Sequence, residues 1–176
     1  MPLLLIGVRQ NRWHKDPALA LLNNGDVPAD PLADLRVSGN QLSVWEILPD
    51  RSNLMRIVRA LAVGKDKLEP SGWLLFSSEL LMLANIKPPD MTKQGTTKDA
   101  AINRFHGNLV NLTGNRLVIL TAALLTFGET GQFLKKELLE YVESGITLQE
   151  LKEEDLPEGI REQLVKYRSL GQTGTP

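Results

Sequence analysis

An octet of polar residues, Arg9 to Asp16, follows an apolar run near the start of the chain. Its cations suit a phosphate or a carboxylate, its tryptophan could stack on a base, and its histidine and aspartate could exchange a proton or hold a metal. Ligands of open α/β sheets gather outside the carboxyl ends of strands, where this octet lies if the preceding run is a strand. The residues that we predict to bind a ligand or nucleic acid here are Arg9, Arg12, Trp13, His14 and Lys15.

The same octet has a purely structural alternative. A surface loop commonly contains charged residues, and Trp13 would then lie against the edge of the sheet. Asp16 would only cap a short helix that has Pro17 at its first position.

Two arginines, Arg56 and Arg59, extend the predicted ligand-binding set. They lie one turn apart on a predicted helix, on the face opposite its apolar residues. A solvent-exposed face with these side chains could contact phosphates, and a solvated face without a ligand explains them equally well.

Histidine occurs at two positions, His14 and His106. With Asp16 they would form an imidazole and carboxylate metal site if the fold brought them together. The alternative is that His106 is an ordinary surface residue of a helix. We therefore assign no metal, no cofactor and no catalytic residue, and a metal-dependent hydrolase is the weakest of three functional hypotheses.

An acidic run begins at Glu150 and ends at Glu158. It could bind a basic partner or a cation, but its spacing lacks the alternating oxygen ligands and central glycine of a calcium loop. A solvated junction between helices is the interpretation that we favour. The sequence also has no phosphate-binding loop and no serine-nucleophile signature.

The composition is typical of a globular protein, with 176 residues, 42% of them hydrophobic and 23% charged. There is no cysteine, which excludes disulfides, zinc-thiolate sites and cysteine nucleophiles. Residues 1–116 carry 14 Lys/Arg against 11 Asp/Glu, net +3, whereas residues 117–176 carry 6 against 10, net −4. We expect no membrane-spanning segment, because the longest apolar run is well short of the roughly 20 residues that cross a bilayer. We also expect a cytoplasmic location, because the lack of cysteine fits a reducing compartment.

The first half predicts a small sheet with covering helices. Leu3 to Val8 is apolar at odd and even positions, which predicts a central strand. A hairpin is predicted around Ser38 to Gln41, and Leu42 to Phe76 predicts strand, helix and strand, the helix ending at a left-handed Gly64. Short helices are expected after Pro17 and from Leu80, with a loop over residues 26–31.

The second half predicts helices. One is expected over residues 97–112, a buried one from Arg116 to Phe127, and an amphipathic one that ends at Gly145. A capping box at residues 147–150 and a last helix from Pro157 follow. We expect an α+β fold: a small mixed sheet with covering helices over residues 1–86, a linker over 87–97, a helical segment or small bundle over 98–170, and a disordered tail over 171–176.

The leading functional hypothesis is a non-enzymatic protein-protein interaction module, an accessory, regulatory or inhibitory subunit of a larger assembly. It follows from two elements of opposite charge, a proline-bearing linker and the lack of a convergent catalytic set. A nucleic-acid-binding factor that uses the basic and aromatic octet is the alternative. The oligomeric state is left open.

Overall fold

The computed structural model describes residues 2–9, 12 and 13, 27–35, 37–91 and 95–172. In this part of the chain, two 3₁₀ helices, Ala100–Phe105 and Glu153–Asp155, accompany the strands and α-helices. The strands are β1 (Leu3–Val8), β2 (Leu42–Ile47), β3 (Ser71–Ser77), β4 (His106–Leu109) and β5 (Glu129–Phe133). The helices are α1 (Ala29–Asp34), α2 (Leu54–Ala62), α3 (Leu80–Leu83), α4 (Gly114–Phe127), α5 (Lys135–Thr147) and α6 (Glu158–Gln172).

The strands form one antiparallel sheet in the order β4-β2-β1-β3-β5. β1 lies in the centre, so that Leu5 pairs with Trp45 on one side and with Leu75 on the other. The α+β class and the central position of β1 are thereby confirmed.

Two hydrophobic cores lie on opposite faces of this sheet. Leu5 faces the first core, together with Ile57 of α2, Val142 of α5 and Leu164 of α6. Leu4 faces the second core, to which α3 and α4 contribute. A strand that is apolar at consecutive positions is what burial on both faces requires.

The two edge strands both come from the second half of the chain. The helix predicted over residues 97–112 is wrong beyond Phe105, because residues 106–109 form β4 and pair with β2. Gly107 lets residues 89–91 pack closely on β4, since a Cβ there would lie 2.4 Å from the sulfur of Met91. Strands from both halves thus complete one sheet, while the division into separate domains at residues 87–97 stays a prediction.

Several local predictions in the first half need correction. Residues 29–34 form α1 instead of a loop, because Pro31 is tolerated in a first helical turn. The turn at Ser38 to Gln41 is confirmed, with positive φ at Gly39 and Asn40, but Leu35 and Val37, the described residues just before it, lie in no strand. Gly64 does not have the left-handed conformation predicted for it. The helix predicted after Pro17 lies outside the described residues.

The long helices of the second half are confirmed, with changes at their ends. The Thr113 hydroxyl accepts from the backbone N–H of Arg116 and begins α4. α5 continues past Gly145 to Thr147, whose hydroxyl donates to the Glu143 carbonyl, so the capping box predicted at residues 147–150 is wrong. α6 reaches Gln172, and residues 173–176 of the predicted tail lie outside the described part. Within the described ranges, no helix is both long and apolar enough to cross a bilayer.

Candidate binding groove at the end of the sheet

The residues that follow β1 are anchored on one buried carboxylate, that of Asp34 at the end of α1. Asp34 is 3% exposed and accepts from the backbone N–H of Arg9 at 2.6 Å and from the indole N–H of Trp13 at 2.9 Å. The Arg9 Nε lies 4.0 Å from the other carboxylate oxygen. This carboxylate therefore holds the polypeptide where it leaves the central strand.

The two ends of the predicted octet have different surroundings. Arg9 is exposed, whereas Trp13 is 2% exposed and packs in the second core. A buried indole has no free face on which a base could stack, which matches the structural alternative for Trp13. Arg12 is half-buried, and its backbone N–H donates to the Arg9 carbonyl. His14 and Lys15 lie outside the described residues.

A groove of about 970 Å³ crosses the end of the sheet where β1 stops and where β2 and β3 begin. Its lining comes from four strands, from the Leu61 to Lys65 end of α2, and from the loop that leads into β3. Cavities that bind ligands commonly reach this size. The lining residues that matter most below are Gly7, Arg9, Ser43, Lys65, Glu69 and Gln132.

Gly7 opens the face of the sheet inside this groove. It is an exposed residue of the central strand, and a Cβ built there would meet no atom of the described residues within 4 Å. A glycine in a strand interior weakens the strand and often marks a place where another group approaches the backbone closely. The space above Gly7 is therefore large enough for a group from outside the sheet.

Both signs of charge surround this space. Arg9 and Lys65 are exposed cations, and Glu69 is an exposed anion on the same rim. At one end, the Ser43 hydroxyl donates to the Asn108 side chain at 3.3 Å and lies 3.3 Å from Nε2 of His106. The groove thus offers apolar surface, hydrogen-bonding groups and opposite charges over a short distance.

The two helical arginines lie elsewhere, in a network of four charged side chains. Arg56 donates to Asp99 through Nε at 2.6 Å and pairs with Glu150 at 2.9 Å. Arg59 is 5% exposed, donates to Glu150 and lies 3.7 Å from Asp99. The hydrogen bonds that Arg56 donates to Asp99 raise the pKa of Arg56.

The prediction of a solvent-exposed face for these arginines is wrong because α5 covers it. Gly145 of α5 lies against the guanidinium of Arg59, so that a Cβ there would be 2.7 Å from its Cζ. The Nε of Arg59 is buried without a hydrogen-bond partner among the described residues. Both arginines thus bind carboxylates of the chain itself, and they do not join Arg9 in one surface.

His106 lies at the start of β4, not on a helix. Its ring packs edge to face against Trp45, with the ring centroids 5.0 Å apart. His14 and Asp16 lie outside the described residues, and within the part of the chain that the structure describes no group of side chains has a metal-binding arrangement.

Parts of the acidic run are neutralised inside the fold. Glu150 pairs with the helical arginines, and Glu153 receives two hydrogen bonds of 3.0 Å from Arg168 of α6. The Arg168 guanidinium lowers the pKa of Glu153 below its ordinary value. Glu150 thereby connects the residues after α5 to α2, and Glu153 connects them to α6. These contacts are typical of a structural junction between helices.

The groove itself contains residues that the sequence pattern did not single out. Gly7 was part of an apolar run, and Asp34 was one of several aspartates near a predicted loop. Comparison with family models, with curated proteins and with solved structures found no match for this chain.

Proposed function

We propose that this protein is a non-enzymatic protein-binding module, an accessory, regulatory or inhibitory subunit that takes an extended segment of its partner into the groove above Gly7. The observation that supports this most is the exposed glycine of the central strand, which leaves the sheet uncovered between two exposed cations and an anion. An alanine at this position would strengthen the strand, so the glycine needs an explanation.

The shape of the groove favours a polypeptide. It passes four adjacent strand ends, and neighbouring strands are about 4.8 Å apart, which gives a length of roughly 14 Å, enough for about four residues of extended chain. A peptide also carries both signs of charge and apolar side chains, which is what the lining provides. A nucleic acid would favour cations alone, whereas Glu69 lies on the same rim as Lys65.

Substitution of Gly7 by valine is expected to abolish partner binding without loss of stability. The new side chain occupies the space directly above the strand and blocks the approach of a peptide to the sheet there, and the folded protein should be as stable as the wild type or more stable by about 0.5–1 kcal/mol, because a strand glycine costs conformational entropy. The tagged variant and the tagged wild type are expressed in the native cell, captured in parallel and read by mass spectrometry.

Gly114→Val is the matched control, because a Cβ at Gly114 also meets no atom within 4 Å and Gly114 does not line the groove. It should retain the proteins captured by the wild type. Capture of the same proteins by Gly7→Val would contradict the proposal, and capture that nuclease treatment removes would support the nucleic-acid alternative instead.

A further inference from the structure

The sheet is split between β1 and β2 at the end where the groove lies. The ladder that joins these two strands ends at Leu5 opposite Trp45. Both strands continue beyond this point, but residues 6–8 pair only with β3 and residues 42–44 pair only with β4. In the described part of the chain, two free strand edges therefore face each other across the split, and residues of both edges line the groove.

Backbone hydrogen bonds fix the two strands where they diverge. After β1, the N–H of Arg9 donates to the buried carboxylate of Asp34 at 2.6 Å. Before β2, the carbonyl of Asn40 accepts from the N–H of Leu112, which follows β4, at 3.0 Å. Each strand is thus anchored to a different part of the chain, so the split is a feature of the fold and not the fraying of a strand end.

Free strand edges carry unpaired N–H and C=O groups, and many proteins bind an extended peptide by pairing with such an edge. The strands of this sheet pair antiparallel throughout its described ladders. An added strand can be antiparallel to only one side of the split, because β1 and β2 run in opposite directions. β1 is the better match, since Gly7 lies in it and a glycine within a strand often marks the close approach of another backbone.

We propose that the partner segment in the groove adds a strand antiparallel to β1, in the split between β1 and β2. This inference rests on the proposed function and gives the segment a path. The segment crosses the ends of β5 and β3, where Gln132 and Ser71 line the groove, and then continues along the free edge of β1.

The register beside β1 defines the side chains of such a segment. Directly opposite residues of an antiparallel pair share one face, with Cβ atoms about 4.5–5.5 Å apart. Opposite Gly7, an aromatic side chain can lie across the glycine, in the space that Gly7→Val would occupy. Arg9 lines the same groove two positions further along, and its side chain is 56% exposed. A carboxylate opposite Arg9 completes the match, so the segment has Asp or Glu two residues before an aromatic residue.

Methylation of the peptide backbone tests the strand pairing. Random peptides displayed on phage are selected on the immobilised wild type, and the enriched peptides are synthesised with one backbone amide methylated at a time. Every second amide of an added strand faces β1, and methylation there should weaken binding by about tenfold or more, because a hydrogen bond is lost and the methyl group pushes the strands apart. The amides between them should tolerate methylation. Isothermal titration calorimetry measures the affinities.

The charge pair is tested by a double-mutant cycle between the protein and the peptide. Arg9→Gln should weaken binding of the acidic peptide by about three- to fivefold, as for a partly exposed ion pair. It keeps the backbone N–H that donates to Asp34. A peptide with glutamine in place of its acidic residue should bind the wild type and Arg9→Gln equally. Lys166→Gln is the matched control, because Lys166 is exposed on α6 and does not line the groove.

The outcomes separate this inference from the proposed function. Peptides that bind the wild type and not Gly7→Val, but show no alternation on methylation, overturn the strand pairing and leave the groove as a binding site. Absence of the acidic and aromatic pattern, or no dependence on Arg9, overturns the side-chain assignment. If no peptide is retained, or if Gly7→Val retains the same peptides, the proposed function fails together with this inference.

Discussion

Asp99→Ala is expected to lower the free energy of unfolding by about 1.5–3 kcal/mol, because Arg56 loses two hydrogen bonds to a buried carboxylate and Glu150 is left as the one carboxylate of the network. The Asp99 side chain is 2% exposed and binds Arg56 while it lies 3.7 Å from the buried Arg59. It also accepts from the backbone N–H of Ala101 at the start of the first 3₁₀ helix. Urea denaturation followed by circular dichroism measures the loss.

Two further variants separate the roles of Asp99. Asp99→Asn keeps an acceptor for the Ala101 N–H but removes the charge, so most of the loss should persist. The exposed Asp66 is the matched control, and its replacement by alanine should change stability by less than about 0.5 kcal/mol. A loss for Asp99→Ala no larger than that of the control would show that the network does not stabilise the fold.

Trp13→Ala is expected to cost about 3–5 kcal/mol, the range found when a large buried aromatic side chain is removed. The indole packs in the second core, and its N–H is one of two donors to the buried Asp34 among the described residues. Removal leaves a cavity and deprives the carboxylate of a hydrogen bond. The same denaturation experiment measures this effect.

Trp13→Phe separates volume from hydrogen bonding, since it keeps most of the apolar ring. It should cost less than the alanine variant, and the remaining loss reflects the missing indole N–H. If Trp13 were instead a platform for a base, Trp13→Ala would leave stability unchanged and reduce only binding. Equal stability of Trp13→Ala and the wild type would therefore reverse the structural assignment of this residue.

The sequence predicts the elements whose burial is local and continuous. β1 and β3 are short and apolar at consecutive positions, as a strand covered on both faces requires, and α2 has a single apolar stripe. Most of the polar runs that separate such apolar segments are turns or loops, as the sequence predicts. These features depend on neighbouring residues alone, so they are visible without any tertiary information.

The edge strands and the buried arginines depend on contacts between distant parts of the chain. Residues 106–109 have no strand pattern of their own, and they become β4 because β2 offers them an edge. Arg59 has the spacing of a solvent-facing residue, and only the packing of Gly145 on its guanidinium buries it. In the sequence, the available signal of this packing was Gly145, a glycine within an amphipathic pattern. That glycine predicts the end of a helix instead.

Sequence-based prediction has the same limit for the residues of the groove. The sequence points to the end of β1, and Arg9 lies on the groove that we propose as the binding site. Gly7, however, looks like one more residue of an apolar run. Its meaning depends on the absence of any neighbour above it, which is a property of the folded molecule.

The central claim is that a partner protein lies in the groove, and photo-crosslinking tests it most directly. Glu69 and Glu79 are exposed glutamates that precede and follow β3, so they mark opposite ends of the sheet, and only Glu69 lines the groove. A photoreactive phenylalanine analogue at Glu69 should form a covalent adduct with a protein in the native cell. The same analogue at Glu79 should form none, and Gly7→Val should remove the adduct at Glu69. An equal adduct from both positions, or one that persists in Gly7→Val, would contradict the claim.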